Sequence, residues 1–74
     1  MIEYDSNKQN ARIRDYITDN GSITGKDAAA HLGIMSFTKR ISDMRRKGYP
    51  LTYKWEESEN RYGEKVRYKR WYWV

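Results

Sequence analysis

Seventy-four residues with no cysteine and a formal net charge of +5 leave room for one small domain and exclude a disulfide framework or a thiolate zinc site. No apolar run approaches the roughly 20 residues of a membrane span, and the polar opening MIEYDSNKQN is unlike a signal peptide. The charge is lopsided: residues 1–38 are close to neutral and residues 39–74 hold eleven Lys/Arg against five Asp/Glu, an asymmetry that suits a polyanionic partner.

In chain order, residues 1–5 read as a tail, with Ile2 and Tyr4 alternating as an edge strand would, and residues 6–74 as the domain. Ser6 is expected to cap a first helix, with Gln9 completing a capping box. Ile13, Tyr16 and Ile17 form its apolar stripe, and Asn20-Gly21 stops it. Ile23 then anchors a short connection in the core. Thr24 caps a second helix over about 26–32, with Asp27 at the capping-box position and Gly33 at the end. A third helix covers about 36–47. Phe37, Ile41 and Met44 make its apolar stripe, opposite Lys39, Ser42, Asp43 and Arg46, and Gly48 and Pro50 forbid its continuation.

After Pro50 the period changes to two. Leu51, Tyr53 and Trp55 alternate with Thr52, Lys54 and Glu56, as in a strand with one buried face. EESENRYGEK reads as a polar turn in which Asn60 and Gly63 tolerate positive φ and Glu56 and Glu57 are solvated. The return strand VRYKRWYWV gathers Val66, Tyr68, Tyr72 and Val74 on one face. If that face is inward, Trp71 and Trp73 point out and form an interaction patch. Alternatively both tryptophans wrap beneath the first helix, and the small size of the core favours this second arrangement.

The run AAAHLG explains itself through the helix that follows. Two helices joined by a tight turn must approach closely, and Ala28, Ala29 and Gly33 provide small side chains and a turn, with Leu32 and Ile34 filling the space between. The second helix then braces a third whose polar, basic face is left free.

Those residues, GSIT at 21–24, AAAHLGI at 28–34, RISDMRRKGYP at 40–50 and NRYGEKVRY at 60–68, resemble small winged helix-turn-helix domains of the phage and prophage type. The resemblance implies an α+β fold of three helices with a C-terminal hairpin wing. It also implies double-stranded DNA binding by a transcriptional regulator or architectural factor in a bacterial or phage-infected cytoplasm. The third helix would enter the major groove and the wing would lie on the backbone or minor groove.

On that frame Ser36, Lys39, Ser42 and Asp43 are candidates for base edges, and Thr38, Arg46 and Lys47 for phosphates. Arg40 and Arg45 flank the apolar stripe, so their stems are expected to cover the core edge. Thr24 and Lys26 open the second helix, where free N–H groups favour a phosphate. In the wing, Arg61, Lys65, Arg67 and Lys69 form the expected strip, with Lys54 nearby, and Arg61 suits a minor groove. The rival reading is a protein-binding winged helix, an inhibitor or adaptor that contacts a partner or a second copy through Trp71 and Trp73. No metal, cofactor, membrane or small-molecule substrate is expected, and no nucleophile or acid–base constellation suggests an enzyme. His31, the single histidine, is expected as a partly buried neutral imidazole at the core border.

Overall fold

Residues 6–74 are described by the computed structural model, so the Ile2–Tyr4 pattern lies outside the described residues. Three helices, α1 (Lys8–Asn20), α2 (Gly25–Leu32) and α3 (Phe37–Arg46), precede a hairpin of β1 (Leu51–Glu59) and β2 (Lys65–Trp73). This is the α+β order expected from the sequence.

Helix α1 starts one residue later than Ser6 implies. Asn7 is its cap: the side-chain Oδ1 accepts the N–H groups of Gln9 at 2.9 Å and Asn10 at 3.1 Å, and the Asn7 carbonyl accepts the Ala11 N–H. Asn and Ser cap about equally well; here the Asn7 side chain reaches two N–H groups of the first turn, and Asn10, Ile13 and Ile17 face inward. At α2 the expected box is complete, with the Thr24 hydroxyl accepting from the Asp27 N–H and Asp27 Oδ2 accepting from the Thr24 N–H, both at 3.1 Å. Gly33 leaves α2 at φ +67°, a conformation L side chains rarely adopt. Ile34 is thereby dropped into the core with its N–H on the Ala28 carbonyl. Ala28 alone of the three alanines is buried; Ala29 and Ala30 face out, because successive helical positions point about 100° apart.

The core is built from Ile13 and Ile17 of α1, Ile23, Ala28, Ile34, Ile41 and Met44 of α3, Tyr49, Leu51 and Trp71. Phe37, Tyr16, Leu32 and Trp73 pack against it. Burying side chains of this size contributes on the order of 1.5–3 kcal/mol each. Ile23 anchors the connection as expected, by an antiparallel bridge to Trp71 in which each backbone N–H donates to the other carbonyl, at 2.9 and 2.8 Å.

That bridge sets the inward face of the hairpin, and of the two arrangements the sequence leaves open it is the favoured one, with both tryptophans inward. Trp71 is 7 % exposed, while Val66 and Val74 of the opposite parity lie in solvent. Trp73 reaches α1 through its indole N–H on Thr18 Oγ1 at 3.4 Å and stacks near Tyr49. The tryptophans therefore fill space beneath the first helix. Since side chains alternate with period two, fixing Trp71 inward turns Val66, Tyr68, Tyr72 and Val74 to the other face. The register Leu51↔Trp73 through Glu59↔Lys65 then places Tyr53 and Trp55 beside Trp71 and Lys69. They are not core residues, because nine-residue strands of about 3.3 Å per residue run well past the helices. The molecule measures 41 × 24 × 21 Å.

Candidate nucleic-acid interface

The outward face of α3 is set by what its other faces must do. Ile41 and Met44 are buried, and the flank toward α1 is held by a polar bracket. Asn10, buried on α1, donates its Nδ2–H to Asp43 Oδ2 at 2.8 Å, and Lys47 and Arg40 approach the same oxygen at 3.3 and 3.9 Å. The Asn10 hydrogen bond, with the two cations, holds the Asp43 carboxyl below its ordinary pKa against a partial desolvation that opposes it. Asp43, read from the sequence as a base-edge candidate, is thus bound to α1 and to its own helix. Lys47, read as a phosphate contact, is engaged with it.

Thr38, Lys39, Ser42 and Arg46 are exposed together. Ser36 is the N-cap residue of α3 but makes no side-chain capping hydrogen bond, which leaves its exposed hydroxyl outside the helix's own bonding. Thr24 is placed differently from the expectation, since it is buried and its hydroxyl is used by the capping box. Lys26 is exposed on the first turn of α2.

The hairpin divides the wing candidates between two faces. Lys65, Arg67 and Lys69 lie on the face shared with Tyr53, Trp55 and Trp71. Lys54 has the other parity and lies 3.7 Å from Glu56, so it does not join the strip. Arg61 is exposed in the tip, which Asn60 organises: its Oδ1 accepts the N–H groups of Tyr62 and Glu64 at 2.9 and 3.1 Å. Asn60 does this without a positive φ, which in the tip is taken by Gly63 alone. Tyr62 is 77 % exposed and does not cover its own hairpin.

Several residues that organise the site gave no local signal. Glu56 is a strand residue, where the sequence suggested a solvated turn. Its carboxylate accepts the Arg70 Nε–H at 2.8 Å, and Arg70 also donates to Ser22 at 3.1 Å and lies 3.9 Å from Asp27. The Arg70 hydrogen bond pulls the Glu56 pKa down, and Glu56 raises that of Arg70. The cluster ties the wing to the start of α2. Arg45 covers the core edge at Trp71, with its guanidinium 5.4 Å from the ring centre, and is itself exposed to the groove. Thr38, Ser42 and Arg45, spaced i, i+4, i+7, form one wall of a groove of about 410 Å³ whose other wall is Trp55, Lys69 and Trp71. His31 is exposed rather than partly buried and stacks on Tyr16 with ring centres 5.9 Å apart.

Residues 8–72 match the family model described as a winged helix-turn-helix domain, and the chain belongs to that family. No curated protein and no solved structure matches it. A domain of this family implies a DNA partner, and such domains are typically non-enzymatic. Among the described residues no helix is long and apolar enough to cross a membrane, and no group of three or more His, Cys, Asp or Glu could hold a metal ion.

Proposed function

We propose that the protein binds double-stranded DNA as a phage-type transcriptional regulator or architectural factor, with α3 in the major groove and the wing on the adjacent backbone or minor groove. The observation that carries this reading is the withdrawal of Asp43. With its carboxylate bracketed by Asn10, Lys47 and Arg40, the outward face of α3 presents hydroxyls and cations: Thr38, Lys39, Ser42 and Arg46. A face of that kind meets acceptor-rich base edges and phosphates without repulsion. Ser36 stands at the start of α3 and Lys26 on the first turn of α2, and Arg61, Lys65, Arg67 and Lys69 add cations along the wing. In this arrangement Lys39 and Ser42 read bases, whereas Arg46 and the wing cations hold phosphates. The rival protein-binding reading draws less support, because Trp71 is buried and Trp73 is half-buried against α1.

The test is a mobility-shift titration across a salt series with specific and random duplexes. Phosphate contacts by Arg46, Arg61, Lys65, Arg67 and Lys69 give a log K against log salt slope of roughly −4 to −5. Lys39→Ala should relax discrimination by about 1–3 kcal/mol, while Arg46→Ala should weaken specific and random binding alike. A flat salt response would remove the duplex reading, and identical behaviour of the two variants would remove the division of roles on α3.

A further inference from the structure

Groove walls differ in chemistry on the two sides of the wing. The groove facing α2 includes the carboxylates of Asp27 and Glu59. The groove facing α3 includes none: its charged groups are Arg45 and Lys69, and its rings are those of Phe37, Trp55 and Trp71. Trp55 is 53 % exposed, the most accessible of the three tryptophans, and Tyr53 meets it edge-on with ring centres 6.1 Å apart. Cations interleave with these rings: Lys69 Nζ lies 4.4 Å from the Tyr53 ring centre and the Arg67 guanidinium 4.8 Å from that of Trp55.

An exposed indole flanked by cations, in a groove whose lining holds no carboxylate and with Glu57 of the same strand face paired to Arg67, is complementary to a flat π-system that carries negative charge. Nucleotides combine the two. In a duplex the base faces are closed by stacking, so only an unpaired base offers a free face. We propose that the groove between α3 and the wing takes an unpaired DNA base, stacked on Trp55, next to the duplex that α3 holds. The position beside α3 rests on the duplex reading; the stacking itself does not. On tailed DNA Arg67 would hold the phosphate of the unpaired nucleotide in place of a duplex phosphate; its contacts in the free protein, the Trp55 face and a 3.8 Å pairing with Glu57, are exposed and hold it weakly. The protein would then prefer duplex ends, frayed sites or gapped DNA over continuous duplex.

The experiment compares the full chain on a blunt duplex, the same duplex with a short single-stranded thymine tail, the same duplex with an abasic tail, and free oligothymidine. Wild type should bind the thymine-tailed duplex about 5- to 100-fold more tightly than the blunt one, with tryptophan fluorescence quenched. Trp55→Ala should abolish that gain and leave blunt-duplex affinity within about twofold, and Trp55→Phe should keep part of it. A melting curve for each variant verifies the fold. Equal wild-type affinity for blunt and tailed duplex would overturn the proposal. So would an equal gain from the abasic tail or an equal loss on both duplexes in Trp55→Ala. If blunt duplex is not bound while oligothymidine quenches the wild type and not Trp55→Phe, the duplex reading fails and the stacking site stands.

Discussion

At its root the hairpin is walled into the core, with Leu51 and Trp71 buried, Trp73 against α1 and the Val74 N–H on the Pro50 carbonyl. Beyond Trp55 and Lys69 the same two strands run into solvent, and the described tip is held by its own hydrogen bonds around Asn60. Both halves obey one ladder of backbone pairing. They differ in what the side chains meet. At the root, apolar burial fixes register and stability. At the tip, the register is inherited and the side chains are free to serve a ligand. The cluster of Glu56, Arg70, Ser22 and Asp27 marks the boundary between the two, since it is the last point at which the wing is fastened to the helices.

Substitutions along this gradient should therefore fall from structural to functional. Trp71→Ala has the largest expected effect, a loss of about 3–5 kcal/mol through a cavity beneath the Ile23 bridge. Urea denaturation would detect it, and a midpoint close to wild type would show that the root does not hold the fold. Ile41→Ala, on the α3 face that packs into the core, should cost about 2–4 kcal/mol, read in the same way. An unchanged midpoint would place Ile41 on the surface.

The boundary cluster should respond to acid. Glu56 and Asp43 both have folded-state pKa values below the ordinary carboxyl range. Their stabilising contribution is therefore complete above that range and is lost as pH falls through the folded values. The melting temperature should fall as the pH drops below about 4, and the fall should be shallower in Glu56→Gln. If Glu56→Gln and wild type trace the same acid limb, the fastening contributes nothing.

The smallest structural effect belongs to the tip. Arg61→Ala combined with Lys65→Ala should leave stability within about 0.5 kcal/mol while reducing the steepness of the salt dependence of duplex binding by about 1.8. Parallel salt lines would mean that the tip touches no phosphate, and any large change in melting temperature would erase the contrast between the two halves.

How much of this was legible in the sequence follows the range of the interactions. Thr24 and Asp27 cap α2 within four residues, Gly33 turns the chain where it stands, and Phe37, Ile41 and Met44 face the core at helical spacing. Each is decided locally, and each was readable. The inward face of the hairpin was legible only through the size of the core and not from alternation, because both parities of β2 carry large side chains: Trp71 and Trp73 on one, Val66, Tyr68, Tyr72 and Val74 on the other. Alternation says that two faces exist. The choice between them is made by Ile23, far away in the chain. Asp43 is the same lesson at the candidate site, for its helical position suggested a reading residue until Asn10, 33 positions earlier, was found to hold it.

The long reach of the last strand also shapes how the molecule comes into being. Arg70 meets Ser22 across 48 positions of chain, and Trp71 joins Ile23 over the same interval. During translation at about 5–20 residues per second, all three helices have been synthesised a second or more before the strand that closes their core exists. Until then Ile23 and the inner faces of α1 and α3 have no lid, and the nascent segment is a substrate for chaperones and proteases rather than a partly working binder. A chain lacking Trp71 to Val74 would leave that core open and unbridged, and should fail to accumulate as a folded protein.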